Sequence, residues 1–496
     1  MVFSNVIFLF LFLPVTVIVY YLMTAGKASI YWRNVWLLLV SLLFYAWGEP
    51  LYVLLMLFSI LVNHRLGIWE SDNCGNELGK QIVAIACVFN LGILFCFKYL
   101  SWILSCFGLT WAAEQTHWAL PIGISFYTFQ SLSYIIDIYR EKDKAQRSIV
   151  NTGLYIAFFP QLIAGPIVRY ELIAKQLTER IHSWDKFAEG AWRFTIGLSK
   201  KIILANQLAE LSDYTFFTQA DNERTVILAW VGCLAFMFQL YFDFSGYSDM
   251  AIGLGKMFGF ELPENFNYPY VAKSVSEYWR RWHITLGGWF RDYLYYPVSM
   301  GSALTVKKKA TQWMKDRGVK DYRKKSGRVS MAYLLFIVWM STGMWHGANG
   351  TFVVWGFIQF VFIYWEQSRT PLKNEMLGNI LGLVSTYFVI LITKVVFNAT
   401  DLSHAMGYYG SMLCLTGNSL TNAETWYWLD QFKVILIAGF LLSLPVVPWV
   451  KEHLFVRHGM EKLYLYLGVV VLTAMLLLDF SYAIGGAYNP FIYFNF

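Results

Sequence analysis

Charge is scarce in this sequence: Asp, Glu, Lys and Arg make up 14% of its 496 residues, against 57% apolar and 19% aromatic. So little charge over that length cannot coat one soluble core, because soluble chains of this size divide into polar-surfaced domains. Cysteine is scarce too. Cys87, Cys96, Cys106 and Cys233 fall within apolar segments, while Cys74 and Cys414 stand alone and far apart, so neither a disulfide framework nor a CxxC metal site is suggested. The sequence has no Gly-x-Ser-x-Gly elbow and no His-Glu-x-x-His pair, which takes away the usual signatures of a serine hydrolase and a zinc protease. It also lacks the alternating ten-residue segments of an outer-membrane barrel.

What is there is a series of long apolar runs, several reaching the ~20 residues a helix needs to cross ~30 Å of hydrocarbon. The expected fold class is all-α, a polytopic helical membrane protein forming a single domain over 1–496. Residues 6–22 have no basic residue before them and no small-residue cleavage site after them, so they read as a retained first span, not a signal peptide. The net charge of +7 is mostly local: residues 305–330 carry ten Lys/Arg against two Asp. That density reads as a cytoplasmic loop that sets topology, and no nucleic-acid partner is expected.

Counting Lys and Arg beside each run starts the chain outside and gives spans near 34–47, 51–69, 82–111 and 119–138, the third reading either as one tilted helix or as a broken pair, since Lys98 interrupts it. Residues 140–147 (REKDKAQR) return it inside. Residues 150–168 are apolar but have basic flanks on both sides, so they are expected to re-enter, broken at Pro160, Gly165 and Pro166, and to imply a cavity nearby. The run 190–212, with Arg193, Lys200 and Lys201, reads either as a span or as a basic amphipathic helix along the interface. Spans follow near 226–250, in an out-and-back pair over 331–365, and near 379–397, 432–449 and 463–480. The Lys/Arg-free loop 398–431 and tail 481–496 are expected outside. About a dozen crossings result, with no fixed-period repeat.

The apex of the 331–365 pair is Met344-Trp345-His346-Gly347-Ala348-Asn349-Gly350. Fifteen helical residues before His346 rise roughly 22 Å, so this histidine is expected past the midplane from the cytoplasm. An ionisable group at that depth marks a pathway or a reaction centre, although a histidine packed between helices is the plainer alternative. Gly343, Gly347, Ala348 and Gly350 would let other groups approach closely, and Asn349 adds a polar atom. A neutral imidazole, favoured in a dry site, can take a hydroxyl proton. A second histidine ends Ser274-Val275-Ser276-Glu277-Tyr278-Trp279-Arg280-Arg281-Trp282-His283, where Ser-x-x-Glu fits a capping box and Trp279 and His283 are expected on one helix face. Arg280 and Arg281 read either as interfacial anchors or as a phosphate clasp. Asp243, Ser245, Ser248 and Asp249 end a span, where small-residue helix packing is the favoured reading over a triad with His346. Two histidines 63 residues apart without clustered carboxylates make no metal set, and Gly253-Leu254-Gly255-Lys256 has neither dinucleotide nor Walker spacing.

Several longer motifs occur in order: PIGISFYTFQSLSYIIDIYR (121–140), FFPQLIAGPI (158–167), QLYFDFSGYSDMAIGLGKMFGF (239–260), ENFNYPY (264–270), YWRRWHITLGGWFRDYLYYP (278–297), MWHGANGTFVVWG (344–356) and the closing NPFIYFNF. With the opening MVFSNVIFLFLFLPV they resemble the membrane-bound O-acyltransferases, in the bacterial branch of the alginate O-acetylase membrane subunit, with the motif-rich core at about 121–366. The resemblance implies helices around a central tunnel, a catalytic role for His346 and a second recurrent histidine at His283. It implies a cytoplasmic thioester donor, acetyl-CoA, with no tightly bound cofactor and no metal. It also implies a place in the bacterial inner membrane and an extracytoplasmic acyltransferase partner of SGNH type. The acceptor is left among alginate-like polymers, cellulose and peptidoglycan, and the basic, extended stretch between Pro297 and Met331 departs from the alginate protein.

The sequence thus points to an O-acetyltransferase in which His346 deprotonates the attacking hydroxyl or carries the acetyl group, and His283 lines the tunnel. Arg280, Arg281, Trp279 and Trp282 would meet the donor at the cytoplasmic mouth, and Asn349, Asp243 and Ser245 would support the tunnel. Two other readings compete: a transporter or flippase with His346 as proton relay, and a scaffold for an extracytoplasmic enzyme.

Overall fold

The computed structural model describes residues 2–140, 145–369, 374–486 and 488. Lys142 and Lys144 of the basic stretch after residue 139, and the closing motif 489–496, lie outside the described residues. Within them every regular element is helical. The principal helices in chain order are α1 (Leu13–Ala25), α2 (Ile30–Gly48), α3 (Tyr52–Asn73), α4 (Glu77–Lys98), α5 (Ile124–Arg140), α6 (Ile149–Ala157), α7 (Trp184–Ser199), α8 (Val226–Met257), α9 (Val275–Arg281), α10 (Ile284–Phe290), α11 (Ser302–Asp316), α12 (Tyr322–His346), α13 (Gly350–Ser368), α14 (Glu375–Asn398), α15 (Leu402–Met412), α16 (Ala423–Ser443) and α17 (Glu461–Ile484).

Among the described residues eight helices are long and apolar enough to cross a membrane, or nine if the bent pair Ala423–Ser443 and Val446–His458 is one span. The protein is a polytopic helical membrane protein. The sequence suggests about a dozen crossings because hydropathy does not see where a run stops being one helix. The stretch 82–111 takes the broken form of its two readings, ending its first helix at Lys98, while α5 has only 17 residues and α13 carries Gln359 and Glu366. The run 190–212 is interrupted by a π-helical turn at Lys200–Ala205. The basic stretch 305–330, expected as a loop, is instead α11 and the first turns of α12, as its Ala, Lys, Gln and Met residues favour.

The chain divides into two compact units. The first comprises the described residues of 2–203, 242–265 and 451–488. Here the expected re-entrant segment is a broken, buried one: α6 stops at Phe158, one turn follows at Phe159–Leu162, and residues 163–169 leave the helix. Gly165 is required where the backbone doubles back, since a β-carbon there would strike Gln161. Buried side-chain pairs link the helices, Asn63 with Asn90 between α3 and α4 and Asn34 with Asn151 between α2 and α6. The second half of α8 packs on α7 through two glycine pairs, in which β-carbons at Gly197 and Gly246 would each lie 2.5–2.7 Å from the other's carbonyl, and Gly190 and Gly253 repeat the pattern. Small-residue packing is therefore what the Asp243–Asp249 stretch does.

Basic side chains of α7 and of the π turn that continues it pair with carboxylates of α8. Lys201 and Asp243 pair at 2.7 Å with side chains 4% and 1% exposed, and Asp249 takes both Lys200 and Arg193. Lys200, Lys201 and Arg193 turn their charges to carboxylates of α8 and, for Arg193, also to Glu264, and the run 190–212 is not among the helices long and apolar enough to cross a membrane. The second unit comprises the described residues of 204–241 and 266–450. It holds α9 to α16 and both histidines of interest.

Candidate functional site

The site begins with a hairpin. α12 starts among Arg323, Lys324, Lys325 and Arg328 and ends at His346, eighteen residues past Arg328, a rise of about 27 Å. The N–H of Gly347 closes the helix on the Met344 carbonyl, and Asn349 caps α13 by accepting from the Thr351 N–H while donating to the Thr400 carbonyl. Asn349 is therefore a structural turn residue. The return is tight because Gly343 and Gly356 face each other: a β-carbon on Gly343 would lie 2.5 Å from the Phe352 carbonyl oxygen, and one on Gly356 would lie 2.6 Å from that of Trp339. Gly347 meets the Phe352 ring, whereas Gly350 has no atom closer than 4.0 Å.

This hairpin drives His346 into an aromatic box. The imidazole is 4% exposed and lies 5.1 Å from Trp345, 5.2 Å from Trp355, 5.1 Å from Phe397 and 6.3 Å from Phe352, ring centre to ring centre. His283, 2% exposed, sits 5.8 Å from the same Trp345. The two histidines, 63 positions apart in sequence, thus share one tryptophan wall.

The expectation that Trp279 and His283 share a helix face does not hold. α9 stops at Arg281, Trp282 is extended, and His283 adopts φ +45°, the left-handed region that a residue with a β-carbon seldom occupies. The chain turns there to start α10, with His283 at its N-cap position. Half of the expected capping box forms: Ser274 accepts from the Glu277 N–H, but the Glu277 carboxylate takes the Lys273 N–H.

α9 is fixed by residues that the sequence does not single out. Glu366 of α13 accepts from the Val275 N–H at 2.7 Å, the Ser276 N–H at 2.9 Å and the Ser276 hydroxyl at 2.7 Å, so a carboxylate answers the orphan donors and the positive end of the helix. The Trp279 indole donates to Gln359 of α13, which in turn donates to Thr393 of α14. Three helices are threaded together beside the box. Trp282 is buried, stacks on Tyr278, and carries the Lys394 ammonium 4.7 Å from its ring centre. The available signal for Gln359, Glu366 and Lys394 was polarity inside apolar runs.

The remaining expected residues are placed plainly. Arg281 is held by Glu277 at 2.9 Å and by the Asn267 carbonyl, while Arg280 is exposed and makes no ion pair among the described residues. Trp279 and Trp282 are committed to contacts within the protein. Asp243 belongs to its ion pair with Lys201, and Ser245 is buried in α8.

The fold is thus a series of long apolar helices, and the site is two buried histidines set against one tryptophan. The model of MBOAT, the membrane-bound O-acyltransferase family, matches residues 43–313, and the chain belongs to that family. It is an O-acyltransferase. It is 40% identical to the probable alginate O-acetylase of Pseudomonas aeruginosa over 422 residues, covering 83% of this chain and 75% of that protein. The peptidoglycan O-acetyltransferase of Helicobacter pylori is 28% identical, covering all of this chain and 98% of that one. The teichoic acid D-alanyltransferase of Bacillus subtilis is 27% identical over 57% of this chain and 70% of its own length.

Proposed function

We propose that this protein takes an acetyl group from acetyl-CoA on the cytoplasmic side of a bacterial inner membrane and delivers it, across the membrane, for O-acetylation of an extracytoplasmic polysaccharide or cell-wall polymer. The observation that carries the reading is the histidine pair: His346 at the far end of a helix that begins in a basic segment, with His283 against the same Trp345. His346 accepts the proton of the attacking hydroxyl or carries the acetyl group in transit, since imidazole serves in either role. His283 orients donor or acceptor.

Arg280 is the guanidinium left to meet a donor phosphate, and the basic faces of α11 and α12 raise the local concentration of an anionic donor. The donor is a substrate, with no tightly bound cofactor. A separate SGNH-type acyltransferase outside the membrane is the proposed recipient of the acetyl group. The names of the relatives support an acyl transfer to a polymer, and both the alginate and the peptidoglycan proteins transfer acetyl.

The test is His346→Ala in protein reconstituted into vesicles and given labelled acetyl-CoA. Loss of thioester cleavage at normal protein level is expected. Cleavage at the wild-type rate would remove His346 from the chemistry. Mass spectrometry of wall and exported polymers, with and without the protein, names the acceptor.

A further inference from the structure

We propose that Lys394 is a further catalytic residue of this centre, the cation that meets the oxyanion formed when a hydroxyl adds to the thioester carbonyl; the proposal rests on the reading of His346 given above. Lys394 lies in α14, an apolar helix of 24 residues, and is 3% exposed. Among the described residues no carboxylate comes within ion-pair distance of it. Its neighbours are two aromatic faces, Trp282 at 4.7 Å and Phe397 at 5.4 Å from Nζ to ring centre, and the buried thiol of Cys233, which donates to the Leu391 carbonyl one turn earlier. A cation–π contact returns only a fraction of what it costs to take an ammonium out of water, and a lysine kept buried for stability alone is normally paired.

One of the two rings under the ammonium is a wall of the histidine site, and the other adjoins it in sequence. Phe397 is 5.1 Å from the His346 ring, and Trp282 is the residue before His283. The root of the lysine is fixed as well, because its neighbour Thr393 accepts from Gln359 and donates to the Ile390 carbonyl. Compare Lys201, equally buried but closed by Asp243 at 2.7 Å. The same chain therefore gives one buried lysine a carboxylate and the other two aromatic faces and a thiol, one ring away from His346. Such a preorganised charge in a dry site acts on charge that develops only in the transition state.

The step balances without any further reactant. The acceptor oxygen bonds to the carbonyl carbon as its proton passes to His346, and the carbonyl π pair moves onto oxygen beside the Lys394 ammonium. When the adduct collapses, the carbon–sulfur bond breaks and the thiolate takes the proton back from His346. Lysine is not the acyl carrier here, because an amide formed on Nζ would be a dead end.

The experiment measures release of the coenzyme A thiol from acetyl-CoA, with water as acceptor, by full-length protein in phosphatidylglycerol–phosphatidylethanolamine vesicles. Lys394→Met keeps the shape and removes the charge. Its kcat is expected to fall about 100-fold with the KM for acetyl-CoA within about threefold, as when one oxyanion donor is removed. Its melting temperature should equal or exceed that of the wild type, and Lys394→Arg should recover at least about a tenth of the activity. If His346→Ala is inactive while Lys394→Met stays within about threefold of wild type, the centre stands and the role of Lys394 is refuted. Equal loss in the Met and Arg variants, or a loss confined to KM, also overturns it. If His346→Ala cleaves like the wild type, it is the reading of the centre that fails.

Discussion

The α12–α13 hairpin makes a sharp prediction about Gly343, which touches no substrate. A β-carbon built there lies 2.5 Å from the Phe352 carbonyl oxygen and 3.1 Å from the Cα of Gly356, and both obstacles are backbone. Since carbon contacts settle near 3.5 Å, Gly343→Ala must part the two helices by about 1 Å. Overpacking of that kind costs about 1–3 kcal/mol. The functional cost is expected to be larger, because His346 lies one turn further along the same helix and a misplacement of about 1 Å can lower a rate about 100-fold. Thermal unfolding in detergent and acetyl-CoA cleavage in vesicles read the two effects separately. Gly350→Ala is the control: with nothing nearer than 4.0 Å, it should be silent in both assays. A Gly343→Ala protein that melts and cleaves like the wild type would show that the hairpin spacing does not set the position of His346.

Other outcomes follow from single contacts. Glu366→Gln leaves one oxygen to answer three donors at the start of α9, so it should lower stability by about 1.5–3 kcal/mol and slow acetyl transfer, both checked on purified protein; unchanged transfer would detach α9 from the site. Lys201→Met takes the buried ammonium from Asp243 and should cost about 3–5 kcal/mol, whereas Lys201→Met with Asp243→Leu should regain most of it; if the double variant melts no higher than the single, the pair is not what holds the π turn after α7 to α8. His182, outside the spans, is pushed down to about 4 by burial and by Arg33 and Arg180, so its imidazole is neutral in the fold at pH 7. The unfolded chain takes up that proton from about pH 6.5 downward and the folded one only near 4, so stability should fall as pH drops through this window. The fall should be smaller in His182→Gln, and an identical pH profile for the two proteins would refute it.

The sequence by itself determined the class of fold, because apolar runs with few charges leave the backbone no way to satisfy its hydrogen bonds in lipid except helices. It located the broken segment at 150–168 through Pro160, Gly165 and Pro166, which act locally. It located His346 through one polar residue at the apex of an apolar pair, and the small residues around it foretold the close approach that Gly343 makes. Tertiary structure alone decided what these residues meet. Periodicity carries a helix through Trp282 and His283, whereas the chain turns at φ +45° and brings His283 to Trp345. Arg280 and Arg281 look equivalent in sequence, yet Glu277 and Asn267 occupy one of them. Lys201 and Lys394 are each a lysine in an apolar run; only packing gives the first a carboxylate and the second two aromatic rings. Hydropathy reports the cost of burying a group, and the identity of its partner depends on helices that the chain brings together from far apart.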